Sequence, residues 1–217
     1  MEIIAHRGAW AGDAVNGIPA CAKNSIDAFK IAAEFGFGIE TDFRDALGEI
    51  VISHNPPDAQ APTARAFLSA VRPGQIICVN VKADGLAADL KALFDAKPEV
   101  RPFAFDMSVP DTLGYEKAGF PYLERQSEYE TVQVWPNASG YWLDGFNGTW
   151  FTKETIERLA GRGRPVCIVS SDLHGRDNRP LWEMLRSLLA ERPDLSEKLW
   201  LCTDAPFEAS RSFKEAR

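Results

Sequence analysis

The chain has 217 residues, of which 45% are hydrophobic and 25% charged, so it can build the core of a globular protein of one or two domains. Its 24 basic and 31 acidic residues give a net charge of −7, which argues against a general nucleic-acid or anionic-membrane surface. The four cysteines lack the spacing of a metal site or a disulfide framework, and no stretch resembles a signal peptide or a membrane span. We therefore expect a cytoplasmic protein with no nucleic-acid partner.

Short β-rich runs alternate with helix-like segments along the whole chain. Extended segments are predicted at Glu2–His6, Gly38–Phe43 with a second short run Ile50–His54, Gln75–Lys82, Pro102–Asp106, Tyr122–Arg125, Tyr141–Phe146, Pro165–Ser170 and Lys198–Thr203. Helices are predicted at Ser25–Phe35, Ala64–Val71, Leu86–Ala96, Pro110–Ala118, Thr152–Gly161, Arg179–Arg192 and Phe207–Ala216. No convincing helix is predicted between Glu128 and Gly140. The regular alternation predicts an α/β protein, a single (β/α)8 TIM barrel over residues 1–217.

Polar residues collect where the predicted strands end, and in a (β/α)8 barrel that end of the strands forms the active face. They are His6, Arg7, Glu40, Asp42, His54, Asn80, Lys82, Asp106, Glu124, Arg125, Asp144, Thr203 and Asp204. A single polar residue at a strand end is commonly just solvated. A set at the same end of nearly every strand indicates a functional site.

Glu40 and Asp42 are two residues apart on a predicted strand, so both side chains point to the same side of the sheet. Adjacent carboxylates repel each other unless a cation neutralises them. An oxygen-preferring ion, Mg²⁺ or Ca²⁺, is therefore expected between them. The alternative is that one carboxylate pairs with Arg7 and the other with Lys82.

His6 and His54 end the segments that would flank this site, and imidazole groups can exchange protons near neutral pH. Arg7 and Lys82 add two cations of the kind that bind a phosphate group. A metal, two cations and two histidines together indicate phosphoryl chemistry. The third histidine, His174, lies in a polar stretch and is predicted at the surface or at the rim of a loop.

Several segments resemble the glycerophosphodiester phosphodiesterase family, and the resemblance spans nearly the whole chain. They are IAHRG at Ile4–Gly8, KNSIDAFKIAAEFG at Lys23–Gly36, IETDFRDALGEIVISHN at Ile39–Asn55, VNVKADG at Val79–Gly85 and CTDAP at Cys202–Pro206. The resemblance implies a TIM-barrel enzyme that uses a divalent cation to split a small-molecule glycerophosphodiester into an alcohol and glycerol phosphate.

The resemblance also implies roles for individual positions. His6 and His54 resemble the family's acid/base pair, and Arg7 resembles a phosphate-binding group. Glu40 and Asp42 match two metal ligands. Lys82 matches the lysine at the end of the family's third strand.

The chain departs from the family at the third metal ligand, where Asn80 stands in place of a glutamate. An amide oxygen can ligate a hard cation but supplies no charge, so Asp106 or Asp84 is a candidate to compensate. The segment between His54 and the third strand is short, so the family's cap insertion is expected to be shortened or absent.

These observations favour a metal-dependent phosphodiester hydrolase, with the division of acid and base roles between the histidines left open. A lyase-like phosphodiesterase that forms a cyclic phosphate is an alternative. A second alternative is a barrel that binds phosphate esters and has a weakened metal site, because Asn80 lacks the charge of a carboxylate. A sugar-active barrel fits poorly, since Glu40 and Asp42 share one strand and cannot flank a scissile bond.

Overall fold

The structure, a computed structural model, describes residues 1–130 and 135–214. Its strands are β1 (Glu2–His6), β2 (Gly38–Ala46), β3 (Glu49–Ile52), β4 (Ile76–Val81), β5 (Arg101–Phe105), β6 (Leu123–Gln126), β7 (Gly140–Leu143), β8 (Val166–Val169) and β9 (Leu199–Thr203). Its α-helices are α1 (Ile26–Glu34), α2 (Ala64–Ala70), α3 (Ala87–Asp95), α4 (Val109–Ala118), α5 (Lys153–Ala160), α6 (Arg179–Glu191) and α7 (Pro206–Lys214). Short 3₁₀ turns lie at Ser171–His174 and Pro193–Leu195.

The strands form one sheet in the order β5-β4-β2-β1-β9-β8-β7-β6, with β3 paired to β2 outside this path. The neighbours β2–β4, β4–β5, β6–β7, β7–β8 and β8–β9 are parallel, whereas β3 is antiparallel to β2. Ala104 of β5 makes a further parallel bridge to Tyr122, just before β6. This strand order, with a helix after most of the strands, confirms the predicted (β/α)8 TIM-barrel fold.

Two compact units are distinguished by their internal contacts, one formed by Ala5–Tyr122 and the other by Met1–Ile4 with Leu123–Arg217. The single domain expected over residues 1–217 stays a prediction. No helix in the described part of the chain is long and apolar enough to span a membrane.

The unit Ala5–Tyr122 has an aromatic cluster between its sheet and its helices. Phe43 of β2 packs edge-on against Phe67 of α2, and Phe67 in turn packs against Phe29 of α1, with centroid distances of 5.6 and 4.8 Å. Because strand side chains alternate, Phe43 on the helix side places Glu40 and Asp42 on the opposite face of β2. The alternation explains why charged residues interrupt an apolar strand.

The β2–β3 hairpin makes β2 longer than predicted, since it runs to Ala46 and not to Phe43. Its two-residue turn, Leu47 and Gly48, has φ values of 51° and 84°, which suit the twist of a tight hairpin. From Ser53 to Gln75 the chain, described throughout, contains one helix, α2. This agrees with the expected loss of a large cap.

In the other unit, β7 ends at Leu143 and not at Phe146, because the Asp144 carboxylate accepts a hydrogen bond from the Gly145 N–H and turns the chain. The predicted last helix ends at Lys214, and its final predicted residues lie outside the described part of the chain. The segment predicted to lack a helix, Glu128–Gly140, forms none in its described residues, while 131–134 lie outside them.

A buried carboxylate on β6 predicts a pH dependence of stability. Glu124 accepts hydrogen bonds from the Gln126 side chain and the Trp135 N–H, at 2.7 and 3.1 Å. Burial raises the pKa of Glu124, against the lowering effect of the Trp135 hydrogen bond and of nearby arginines. The folded state therefore binds a proton that the unfolded state releases, so stability falls as pH rises from the unfolded pKa through the folded one.

We expect the Glu124→Gln variant to lack this loss of stability with rising pH, because glutamine does not titrate. Its side-chain oxygen can still accept one of the two hydrogen bonds that Glu124 accepts. Urea unfolding of both proteins between about pH 4 and pH 8, which brackets the ordinary glutamate pKa, measures the difference. The variant should gain stability relative to the wild type as pH rises. A constant difference across the range would show that Glu124 does not titrate differently on folding.

Candidate active site

Glu40 and Asp42 lie on β2 with their side chains almost fully buried. In the parallel ladder between β2 and β4, Asp42 is directly opposite Asn80, and Glu40 is opposite Cys78. Asn80 is also buried, and its position in the ladder gives its side chain the same face as Asp42. Adjacent strands thus bring the three predicted metal ligands together.

Asp42 is surrounded by cations and amide donors. Its Oδ2 accepts a hydrogen bond from Asn24 Nδ2 at 2.8 Å and lies 3.2 Å from Arg7 Nε. Its Oδ1 lies 3.5 Å from Lys82 Nζ. The sequence left open a pairing of Arg7 with one carboxylate and Lys82 with the other, whereas the structure places both cations on Asp42.

Glu40 has a different set of partners. Asn80 Nδ2 donates to Glu40 Oε1 at 3.0 Å, and the Arg7 N–H donates to Oε2 at 3.2 Å. His6 Nε2 lies 3.8 Å from Oε2. Burial raises the pKa of Glu40, with the negative charge of Asp42 adding to it and His6, Asn80 and Arg7 opposing it. Glu40 therefore requires a positive charge nearby in order to ionise readily.

The backbone after β1 places Arg7 against β2. Arg7 has a left-handed backbone with φ of 57°, and its N–H donates to the Glu40 carbonyl at 2.8 Å. Gly8 follows with φ of 82°, and a Cβ built there would lie 2.8 Å from the Ala28 backbone of α1. Only glycine fits this close approach, so the chain can turn between β1 and α1 and direct Arg7 toward Asp42.

The residues present fit a hard cation at this site. Asp42 Oδ1 and Asn80 Oδ1 are buried oxygens that accept no hydrogen bond in the structure. Unpaired buried acceptors are costly, and a bound cation would satisfy both. Within residues 1–130 and 135–214 there is no cluster of three or more histidine, cysteine, aspartate or glutamate side chains suited to a metal. A cation here would consequently depend on the amide of Asn80.

The position of His54 follows from a backbone hydrogen bond between the preceding residue and β2. The Ser53 N–H donates to the Asp42 carbonyl at 3.0 Å, which places the chain just before His54 beside β2. The His54 side chain is exposed, and its Nδ1 lies 3.2 Å from Asn55 Oδ1. The contacts above join His6, Arg7 and Lys82 to the carboxylates, and the catalytic role of His54 stays a prediction.

The two residues considered as substitutes for the missing carboxylate lie in nearby loops. Asp84 Oδ2 accepts a hydrogen bond from Ser108 Oγ at 3.0 Å. Asp106 directly follows Phe105, which is opposite Asn80 in the β4–β5 ladder, and it has a left-handed φ of 66°. The Asp84–Ser108 hydrogen bond does not involve the Glu40–Asp42 pair, and compensation by Asp84 or Asp106 stays a prediction.

Sequence reasoning missed Asn24 as a site residue. Its amide donates to Asp42, and its Oδ1 accepts from the Thr41 hydroxyl at 2.8 Å. In the sequence, Asn24 precedes Ser25, the N-cap of α1, and it looks like part of a helix start. No pattern in a single sequence separates these two roles.

Comparison with known proteins yields structural matches alone, because no family model and no characterised protein sequence matches the chain. A glycerophosphodiester phosphodiesterase structure from Agrobacterium tumefaciens str. C58 matches with a TM-score of 0.65 and 16% identity, covering 100% of both chains. The glycerophosphoryl diester phosphodiesterase domain of a Mycobacterium tuberculosis protein matches at 0.62 and 10% identity, covering 97% of this chain and 98% of that one. The chain shares the fold of these phosphodiesterases.

A structure that is not named as a phosphodiesterase also matches the fold of this chain. Phosphoribosyl anthranilate isomerase from Thermus thermophilus matches with a TM-score of 0.52 and 14% identity, covering 100% of this chain and 98% of that chain. Fold similarity at this level of identity does not define the reaction. The function has to be argued from the side chains at the ends of β1, β2 and β4.

Proposed function

We propose that the protein is a divalent-metal-dependent phosphodiester hydrolase that acts on a glycerophosphodiester or a related small-molecule phosphodiester. The observation that carries this proposal is a pair of buried oxygens that accept no hydrogen bond, Asp42 Oδ1 and Asn80 Oδ1, beside the cations Arg7 and Lys82 and the imidazole of His6. The fold is similar to that of phosphodiesterase structures, and the segments His6–Gly8 and Glu40–Asp42 resemble those of the phosphodiesterase family. Both observations support the same reaction.

Glu40, Asp42 and Asn80 would hold the cation, Mg²⁺ or Ca²⁺. When bound, it would neutralise charge on the phosphoryl oxygens. Arg7 and Lys82, each about one-fifth exposed in its side chain, are accessible enough to bind the oxygens of a phosphate group while one side remains against Asp42.

Proton transfer is assigned to His6 and His54. One imidazole accepts the proton of the attacking water or of a neighbouring substrate hydroxyl, and the other gives a proton to the leaving alkoxide. His6 lies beside Glu40, so its position is set by a buried group, whereas His54 lies on an exposed segment. Attack by a substrate hydroxyl would yield a cyclic phosphate, and attack by water would yield glycerol phosphate and an alcohol.

The proposal is tested by hydrolysis of a panel of glycerophosphodiesters and of an aryl phosphodiester with Mg²⁺, Ca²⁺, Mn²⁺ or a chelator. We expect turnover with a divalent ion and its loss with the chelator. Product analysis by phosphorus NMR separates the hydrolytic route from the cyclising one. Turnover that survives chelation, or no turnover on any diester, would contradict a metal-dependent hydrolase.

Asn80 offers a sharper prediction about the metal site. We expect Asn80→Asp to raise divalent affinity on the order of tenfold, because a third carboxylate adds charge to the ligand set. The same change should lower the Tm of the metal-free protein, since aspartate cannot donate to Glu40 and adds a negative charge beside it. Calorimetric titration and metal-free thermal unfolding measure the two effects.

Asn80→Leu is the matched control, since it removes both the amide donor and the amide oxygen while adding no charge. The Asn80→Leu variant should lose divalent-ion binding at the site formed with Glu40 and Asp42. If Asn80→Asp and Asn80→Leu bind the ion as the wild type does, then Asn80 is not a ligand.

A second candidate function is a barrel that binds phosphate esters without turnover. It is favoured by the observation that Asp42 already has Arg7, Lys82 and Asn24 as partners, and Glu40 has Asn80. In this case a phosphate monoester would bind in the presence of chelator, and the Arg7→Ala variant would lose that binding. The diester panel above distinguishes the two functions.

A further inference from the structure

We propose that Asp84, Asp111 and Tyr115 line a second cation site, one that takes a hydrated Ca²⁺ ion. Asp84 lies in the loop after β4, and Asp111 and Tyr115 lie on successive turns of α4. The inference is independent of the proposed function, since none of these residues contacts Glu40, Asp42 or Asn80 in the hydrogen bonds and ion pairs described above.

The loop after β4 and the first turn of α4 hold the carboxylates of Asp84 and Asp111 by hydrogen bonds that use only one oxygen of each. Asp84 Oδ2 accepts from Ser108 Oγ at 3.0 Å, and Asp111 Oδ1 accepts from the Gly85 N–H at 2.8 Å. The remaining oxygen of Asp111, Oδ2, is buried and has no hydrogen-bond partner. A carboxylate oxygen shielded from water in this way requires a donor or a cation.

Tyr115 provides the second observation. Its side chain is fully buried, and its hydroxyl has no hydrogen-bond partner. Burial, followed by the nearby negative charges of Asp111 and Asp84, raises the pKa of Tyr115, so the phenol stays neutral and keeps its proton. The charges of Asp111 and Asp84 act on this buried phenol, yet its O–H is hydrogen-bonded to neither of them, and a hydrated ion would give it a partner.

The charge of the pair is not balanced by the protein. Across the ranges 1–130 and 135–214, no lysine, arginine or histidine makes an ion pair with Asp84 or Asp111. Two carboxylates without a counter-cation attract a positive ion. Because Asp84 is exposed, an ion can reach the site from solvent.

The donor set selects the kind of ion. Carboxylate, hydroxyl and water oxygens suit hard cations, and Ca²⁺ tolerates the irregular geometry of a site between a loop and a helix better than Mg²⁺ does. The neutral phenol then donates a hydrogen bond to a water on the ion, and Asp111 Oδ2 ligates the ion directly. With only two charged ligands we expect a modest affinity, roughly 10⁻⁵–10⁻³ M, in the range of weak protein calcium sites.

The test is a calorimetric titration with Ca²⁺ of the Glu40→Gln/Asp42→Asn double variant, which lacks the first cation site. We expect one saturable Ca²⁺ ion, and we expect Asp111→Asn in that background to weaken it by at least roughly tenfold. Asp89→Asn, which neutralises an exposed carboxylate on α3, is the matched control and should leave the affinity unchanged. Should the double variant not fold, the wild type and Asp111→Asn alone are compared, with a loss of one bound ion expected.

The Tyr115→Phe variant tests the site by two changes in thermal stability that have opposite directions. Removal of an unsatisfied buried hydroxyl should raise the Tm of the metal-free protein, and the rise in Tm caused by Ca²⁺ should become smaller. If no Ca²⁺ binds saturably up to about 10 mM, well above the expected range, the space between these groups holds water only and the inference is wrong. That result would leave diester hydrolysis, which is measured separately, unaffected.

Discussion

Replacing His6 by alanine is expected to lower kcat/KM for a glycerophosphodiester by roughly 10²–10⁴-fold, the usual contribution of one positioned acid or base. His6 is the last residue of β1, and its Nε2 lies 3.8 Å from Glu40 Oε2. Only 14% of its side chain is exposed, so the imidazole is held beside the carboxylate. Steady-state kinetics on the best diester of the panel measures the loss.

The control for this prediction is His174→Ala. His174 Nε2 lies 2.7 Å from Asp144 Oδ1, so this variant removes an imidazole that also contacts a carboxylate, on another part of the chain. It should retain most of the activity. The rise in Tm with Mg²⁺ or Ca²⁺ should persist in His6→Ala, because the three proposed ligands are intact. If the His6→Ala variant turns over the diester at the wild-type rate, His6 has no part in the mechanism.

Asp42→Asn is expected to abolish metal-dependent turnover and to destabilise the metal-free protein by about 3 kcal/mol, the lower end of the cost of breaking a buried ion pair. Asp42 is fully buried, and its loss of charge leaves Arg7 and Lys82 without the carboxylate that they share. The lower end applies because both cations are about one-fifth exposed. Urea unfolding measures the stability, and the diester assay measures the activity.

Asp45→Asn, on the exposed end of the same strand, is the matched control for Asp42→Asn. It makes the same chemical change where no ion pair is broken, and its stability should stay within about 0.5 kcal/mol of the wild type. If Asp42→Asn is as stable as Asp45→Asn, the two cations do not depend on Asp42. A more stable Asp42→Asn protein would show that the cluster is strained in the folded state.

The fold follows closely from the sequence because strands and helices carry strong local signals. β1 was predicted with its observed bounds, and Ser25 caps α1 as its position before an apolar run indicates. The spacing of Glu40 and Asp42 on one strand was enough to put both carboxylates on one face. These features follow from the spacing of residues along strands and helices, and that spacing can be read from a single sequence.

The contacts within the site could not be read from the sequence. Nothing in the segment NVKADG indicates that the Asn80 amide donates to Glu40 and leaves its oxygen unpaired. Nor does the sequence assign both Arg7 and Lys82 to Asp42, since that choice depends on a left-handed backbone at Arg7. His174 was expected at the surface or at a loop rim, and its partnership with Asp144, thirty residues earlier, is a tertiary contact.

The close approach of Gly8 to Ala28 has a consequence for the mutational tolerance of the HRG segment. In a library selected for folded protein alone, His6 should accept many residue types, whereas Gly8 should accept almost none, because any Cβ would overlap the backbone of α1. A library selected for diester turnover should reject changes at both positions. The ratio between the two selections would thus separate the part of the segment that shapes the chain from the part that performs the chemistry.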